Sequence, residues 1–88
     1  MSIAPMQVTL KLFASLGVHL PAGAERNQAD VAVADGTTVW GLLDAHNVPR
    51  GSCHLVLLNG HFQAPAVRDT TVLQPGDAVA VWPPVAGG

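Results

Sequence analysis

The 88-residue sequence predicts a single α+β domain, in which one main helix packs across a mixed sheet of four or five strands. Three observations support this prediction. Several short segments alternate between apolar and polar residues, one central segment changes to helical spacing, and turns containing glycine or proline separate the elements. Apolar residues make up 49% of the chain and charged residues 11%, a composition that favours a packed core and argues against disorder.

The first strand is predicted over residues 6–13 (MQVTLKLF), because Val8, Leu10 and Leu12 alternate with residues of the opposite face. Residues 14–28 follow with two glycines and a proline. Glycine and proline interrupt regular structure, so this segment is expected to be a long, irregular connection with room for one helical turn near its start.

The second strand is predicted over residues 29–34 (ADVAVA), where valines alternate with small or polar residues. The helix is predicted within residues 35–48 (DGTTVWGLLDAHNV), because its apolar residues fall at helical spacing. Thr37 or Thr38 can cap the start of this helix by accepting a backbone N–H hydrogen bond. Asn47 can end the helix in a left-handed conformation.

A hairpin and a final strand complete the predicted sheet. Residues 54–63 (HLVLLNGHFQ) predict two short strands joined at Asn59-Gly60, since Asn-Gly is the preferred pair in tight hairpin turns. A second turn is predicted at residues 74–77 (QPGD). The last strand is predicted at residues 77–82 (DAVAVW). If the first and last strands are neighbours at the sheet centre, they run parallel and the chain leaves from the middle of one sheet end.

Charge and cysteine content argue against several function classes. The net charge is −2, and the four basic residues are scattered along the chain, so no stripe exists that could neutralise phosphates in a nucleic acid. The single cysteine, Cys53, cannot form an internal disulfide, which is typical of an intracellular protein. The sequence also lacks a signal peptide and an apolar run long enough to span a membrane, so we expect a cytoplasmic protein.

No self-contained active site is evident in the sequence. The spacing of the four histidines matches no common set of metal ligands, so no metal site is expected. Cys53 is expected to be a small buried residue rather than a nucleophile. These side chains therefore point to no catalytic constellation.

The final segment, PPVAGG, is the strongest functional signal. We place the domain at residues 1–82 and an extended, flexible tail at residues 83–88. Two prolines fix φ and project the chain away from the sheet. The two terminal glycines lack Cβ atoms, so their backbone can enter a channel that excludes side chains, and the reactive group would be the terminal carboxylate. Frayed, functionless chain ends are the alternative, although such ends are usually polar.

The chain resembles the family that contains the small subunit of molybdopterin synthase (MoaD) and the thiamine sulfur carrier ThiS. The similarity lies in VTLKLFASL, DGTTVWGLLDAH and LVLLNGHF, and above all in LQPGDAVAVWPPVAGG. In this last stretch a Pro-Gly-Asp turn, an alternating strand, Pro-Pro and a terminal Gly-Gly follow in the family's order. The resemblance implies a ubiquitin-like β-grasp fold and a sulfur carrier that is not itself an enzyme.

The resemblance also implies specific partners. An ATP-dependent adenylyltransferase, similar to MoeB or ThiF, would activate the terminal carboxylate, and a sulfur donor would convert it to a thiocarboxylate. The carrier would bind no cofactor, because ATP is used by the activating partner. The acceptor would be a large subunit similar to MoaE, in molybdopterin (molybdenum or tungsten cofactor) biosynthesis, or another sulfur acceptor enzyme. The first is favoured because the PPVAGG tail is closer to the MoaD branch than to ThiS.

Individual residue roles follow from the same resemblance. Gly88 would carry the acyl-adenylate and then the sulfur, and Gly87 would keep the passage through the partner's channel narrow. Trp82 is expected either to anchor a partner or to pack in the core. The remaining predicted partner contacts are Phe13, Phe62, Pro83, Pro84, Val85 and Ala86.

Three alternatives remain open at this point. The chain could be a ThiS-like carrier for thiamine biosynthesis, or a ubiquitin-like modifier that forms an amide between Gly88 and a lysine. It could also be an interaction domain whose Gly-Gly is incidental. Because the chain has few charges, electrostatic steering toward any partner is expected to be weak.

Overall fold

The computed structural model describes residues 5–85 and shows a five-stranded mixed sheet with one α-helix packed on one face. The elements are β1 (Met6–Leu12), β2 (Gln28–Val33), α1 (Val39–Ala45), β3 (Leu55–Leu58), β4 (His61–Phe62) and β5 (Ala78–Trp82). Short 3-10 turns occupy Ala14–His19, Arg50–Ser52 and Pro65–Val67. The strand order is β2-β1-β5-β3-β4. The predicted α+β architecture is therefore confirmed, and each predicted strand corresponds to an observed strand at nearly the same residues.

Alternation along the strands builds the core. Val8, Leu10 and Leu12 of β1 are all buried, as their period-two spacing predicts. The helix supplies four further buried side chains, Val39, Trp40, Leu42 and Leu43, to the same cluster. The opposite face of the sheet carries no helix among the described residues, and we call it the open face.

Local capping sets the limits of α1. The Thr38 hydroxyl accepts a hydrogen bond from the Gly41 backbone N–H at 3.1 Å, so Thr38 rather than Thr37 is the N-cap. Thr37 instead donates its hydroxyl to the Ala34 carbonyl at 2.7 Å. Asn47, just beyond the helix, has φ of 62°, which confirms the predicted left-handed ending.

The parallel pair of β1 and β5 lies at the centre of the sheet. Leu10 is the register partner of Val79, and the ladder continues past the strand end, where the Phe13 N–H donates to the Val81 carbonyl at 3.1 Å. A parallel neighbour fixes the direction of β5 as well as its position. The chain therefore leaves the sheet beside Phe13, as the sequence predicts for central first and last strands.

Two turns meet at the other end of β5. Asn59, with φ of 50°, forms the predicted hairpin turn with Gly60, whose φ is 84°. The Asn59 side chain donates to the Asp77 carboxylate at 2.9 Å and accepts from the Ala78 N–H at 2.9 Å. The hairpin turn is thereby joined to the Gln74–Asp77 turn, whose Gly76 has φ of 84°. These contacts hold the start of β5 in register.

A buried arginine anchors the connection between β4 and β5, a role that the sequence does not predict. Arg68 is 1% exposed. Its Nε donates to the Gln63 carbonyl at 2.8 Å, and its Nη1 donates to the Cys53 carbonyl at 2.9 Å. Its guanidinium carbon also lies 5.1 Å from the centre of the Trp40 ring, within the range of a cation–π contact. Arg68 thus joins the long connection to the segment that precedes β3 and to the helix.

Replacing Arg68 with Met should lower the free energy of unfolding by about 2–4 kcal/mol, because one buried and one partly buried carbonyl would lose their donor. Urea denaturation followed by circular dichroism measures this change. The matched control is Arg26→Met, since Arg26 is exposed in the connection before β2 and its replacement should change stability by less than about 0.5 kcal/mol. Equal stability of the two variants would contradict the anchoring role of Arg68.

Candidate functional site

An apolar patch covers part of the open face. Cross-strand register places Ala80 beside Leu57, and Leu57 beside Phe62, while Trp82 lies beside Leu55. Register partners project to the same face of a sheet. We define the apolar patch by its six members, Phe13, Leu55, Leu57, Phe62, Ala80 and Trp82. It lies on strands β3, β4 and β5 and on the residue that follows β1.

Two aromatic rings form the end of the patch nearest the tail. The Phe13 and Trp82 ring centres are 4.4 Å apart, and their planes differ by only 6°. Both side chains are half-buried, and neither belongs to the core cluster. Trp82 is therefore not a core residue, and the flat stack presents aromatic surface beside the point where the chain leaves β5. Its contact with a partner stays a prediction.

Phe62 lies at the far end of the same patch. It occupies the two-residue edge strand β4 and is 57% exposed. The sequence predicts Phe13, Trp82 and Phe62 as contact residues without fixing the direction in which they face. The structure places all three on the open face, whereas the core lies on the other side of the sheet.

The tail begins directly at the aromatic stack. Pro83 is half-buried, whereas Pro84 and Val85 are exposed, with Val85 at 80%. These three residues, together with Trp82, line a shallow cleft that the 3-10 turn closes on its other side through Ala14 and Ser15. Proline cannot donate to a strand ladder, so β5 ends here. The predicted site residues Ala86, Gly87 and Gly88 lie outside the described residues.

No alternative catalytic centre appears among residues 5–85. No three His, Cys, Asp or Glu side chains in this range come close enough to hold a metal ion. Cys53 is buried, and its Sγ lies 3.4 Å from the Pro49 carbonyl, to which the thiol donates. Burial raises the pKa of Cys53, and the nearby positive charge of Arg68 opposes this effect only in part. A buried, protonated thiol suits packing rather than nucleophilic attack.

The remaining ionic features are structural. Arg50 donates to the Asp44 carboxylate at 2.7 Å, and this hydrogen bond lowers the pKa of Asp44. The guanidinium carbon of Arg50 also lies 4.8 Å from the centre of the Trp40 ring. In the part of the chain that the structure describes, no helix is long and apolar enough to cross a membrane.

Comparison with protein families identifies one match. Residues 19–88 match the model of the ThiS family, a range that includes the helix, the hairpin, β5 and the Gly-Gly tail. A comparison with curated proteins gives no match.

Solved structures with the same fold come from archaea and bacteria. The Haloferax volcanii HVO 2177 protein is 28% identical, with a TM-score of 0.73, and the alignment covers 97% of this chain and 89% of that one. SAMP1 from Haloferax volcanii is 29% identical, with a TM-score of 0.63 and coverage of 93% and 99%. Subunit 1 of the Helicobacter pylori molybdopterin-converting factor, solved in complex with subunit 2, is 22% identical, with a TM-score of 0.56 and coverage of 94% and 100%. These similarities confirm the ubiquitin-like β-grasp fold.

Cys53 should make stability depend on alkaline pH. Because its pKa is raised in the folded state, its contribution to stability is present at neutral pH and is lost as the pH rises through the folded pKa. We expect the free energy of unfolding to fall more steeply with alkaline pH for the wild type than for Cys53→Ala. Urea denaturation across the alkaline range measures both slopes, and identical slopes would contradict the effect of burial on Cys53.

Proposed function

The chain belongs to the ThiS family, and we propose that Gly88 is adenylated and then converted to a thiocarboxylate that donates sulfur. Family membership supports a sulfur carrier or a ubiquitin-like modifier, and it is consistent with a carrier whose chemistry is performed by partner proteins. The observation that carries the proposal is the exit of the PPVAGG tail from the central strand, directly beside the aromatic stack of Phe13 and Trp82.

The proposed chemistry begins with activation of the carboxylate. A carboxylate is a poor electrophile, because it is negatively charged and has no good leaving group. In the activating enzyme, a carboxylate oxygen of Gly88 attacks the α-phosphorus of ATP, and pyrophosphate leaves. Hydrosulfide from the sulfur donor then attacks the acyl carbon, the bond to AMP breaks, AMP leaves, and a thiocarboxylate forms with loss of the sulfur's proton. ATP is bound by the adenylyltransferase, similar to MoeB or ThiF, so the carrier needs no cofactor and works in the cytoplasm.

The composition of the tail suits insertion into a narrow channel of the activating enzyme. An extended chain of two glycines can pass through a channel too narrow for any Cβ atom, and Gly87 and Gly88 occupy these positions. Pro83 and Pro84 stiffen the segment that precedes them, which reduces the conformational entropy lost on insertion. Val85 and Ala86 would line the entrance to the channel. Holding the carboxylate against ATP then supplies several kcal/mol of the barrier through positioning.

Molybdopterin synthesis is the acceptor pathway that we propose first. The double proline before the terminal Gly-Gly supports this assignment, because that sequence is closer to the MoaD branch. The thiocarboxylate would then enter a large subunit similar to MoaE and transfer its sulfur to a pterin precursor. The Helicobacter pylori complex illustrates a protein of this fold with a partner subunit, although at 22% identity that similarity extends to the fold alone.

Two other acceptors have specific support. The family match favours a carrier for thiamine biosynthesis, as in ThiS. The 29% identity with the small archaeal modifier protein SAMP1 favours conjugation, in which a lysine amine of a target protein attacks the acyl carbon and an amide forms. All three acceptors require the same activated carboxylate, so activation is the step to test first.

ATP–pyrophosphate exchange with the host's adenylyltransferase tests the proposal. We expect the wild-type chain to support exchange and a chain extended by one serine after Gly88 to abolish it, because the reacting carboxylate has moved. Gly88→Ala should lower exchange at least about tenfold, since a Cβ would meet the channel wall. The matched control is Gly51→Ala, at an exposed position with open space around it and no positive φ, which should leave exchange unchanged.

Exchange by the serine-extended chain at the wild-type rate would contradict carboxylate activation at Gly88. Normal exchange by Gly88→Ala would contradict the narrow channel but not the activation. Circular dichroism of each variant checks that the fold is intact.

A further inference from the structure

We infer that Lys11 selects the activating partner, by pairing with a carboxylate that the partner presents at the border of the apolar patch. This inference rests on the proposed function and adds the chemistry of the partner's contact surface. The partner it fits is an adenylyltransferase whose docking surface is apolar and carries an Asp or Glu opposite Lys11.

Lys11 lies on the open face at the boundary between apolar and polar residues. In its row of the sheet, Lys11 has Ala80 on one side and Gln28 on the other. The Ala80 side continues into the apolar patch through Leu57 and Phe62. The Gln28 side continues to Glu25, the bridge partner of Gln28, and both residues are polar and exposed. Lys11 is therefore at the rim of the patch rather than at its centre.

Lys11 also lacks an ionic partner. Among residues 5–85, no carboxylate lies within 4 Å of its ammonium group. Three acids lie on the neighbouring strands and turns. Glu25, the bridge partner of Gln28, forms no ion pair with Lys11, and the other two are engaged by neutral donors. Asp30 accepts from the Thr9 hydroxyl at 2.9 Å, and Asp77 accepts from the Asn59 side chain at 2.9 Å.

The other basic residues are not available on the open face. Arg68 is buried within the connection between β4 and β5, and Arg50 is paired with Asp44. Arg26 lies in the connection that precedes β2 and is not part of a strand. Lys11 is thus the one cation that the described strand register places on the open face.

The length of the tail limits how far the partner can lie from the open face. Six residues follow Trp82, and a fully extended segment of that length spans roughly 20 Å. An enzyme that holds Gly88 against ATP must therefore have its surface within that distance of the aromatic stack. Covering the apolar patch brings the Lys11 ammonium to the edge of the contact, where an opposite charge raises the association rate and a like charge excludes wrong partners. A neutral partner would desolvate Lys11 without compensation.

Charge reversal at Lys11 tests the inference in the adenylation assay. With the host's adenylyltransferase at low ionic strength, Lys11→Glu should raise the KM for the carrier about tenfold and leave kcat unchanged, because a rim charge acts on encounter rather than on chemistry. Lys11→Arg should keep the wild-type KM. The ratio between Lys11→Glu and wild type should shrink toward one in high salt, as screening removes the charge effect.

The matched control is Arg26→Glu, which makes the same change of net charge at an exposed position outside the strand rows. It should change the KM by less than about twofold. Equal KM values for Lys11→Glu and Arg26→Glu would overturn the inference. It would also be overturned if high salt did not reduce the ratio of the Lys11→Glu KM to the wild-type KM. A lower kcat at unchanged KM would also overturn it. Absence of exchange with the wild-type chain would instead overturn the proposed function, and this inference with it.

Discussion

The parallel pairing of β1 with β5 determines where the tail leaves the sheet. It places the last strand at the centre of the sheet, where a neighbour on each side fixes its register. The hydrogen bond from Phe13 to Val81 extends this pairing beyond β1, so the tail starts beside an aromatic side chain rather than at a loose edge. A terminal segment that leaves from an ordered central strand can be presented to a partner in a defined direction, while the segment itself stays unpaired.

The two faces of the sheet differ: one packs against the helix, and the other carries the aromatic stack. The inner face carries the valines and leucines that pack against α1, and it provides the stability of a small domain. The open face carries the stack of Phe13 and Trp82, with Phe62 at the far end and Lys11 at the border. Residues on the open face contribute little to the core, so substitutions there need not disturb the fold. The buried Arg68 supports this arrangement by fixing the long connection that precedes β5.

Most of the fold could be predicted because its signals are local. Alternation marks β1 and β5, Asn59-Gly60 demands positive φ, and a threonine cap opens the helix. Arg68 could not be predicted as buried, since arginine is usually exposed and two of its contacts, with the Cys53 carbonyl and the Trp40 ring, come from earlier segments of the chain. The sequence identifies the aromatic residues of the site but not their common face, because an aromatic residue suits either side of a strand. Register decides that question, and register depends on pairing between segments far apart in the sequence.

Formation of a thiocarboxylate at Gly88 can be tested through the intact mass of the untagged protein, purified from its native host. We expect a species heavier than the unmodified chain by the difference between a sulfur and an oxygen atom, with the added mass located at Gly88 and removed by hydrolysis. A chain found joined through Gly88 to a lysine of another protein, with no sulfur-containing form even when the acceptor enzyme is absent, would contradict the carrier role and establish the modifier instead.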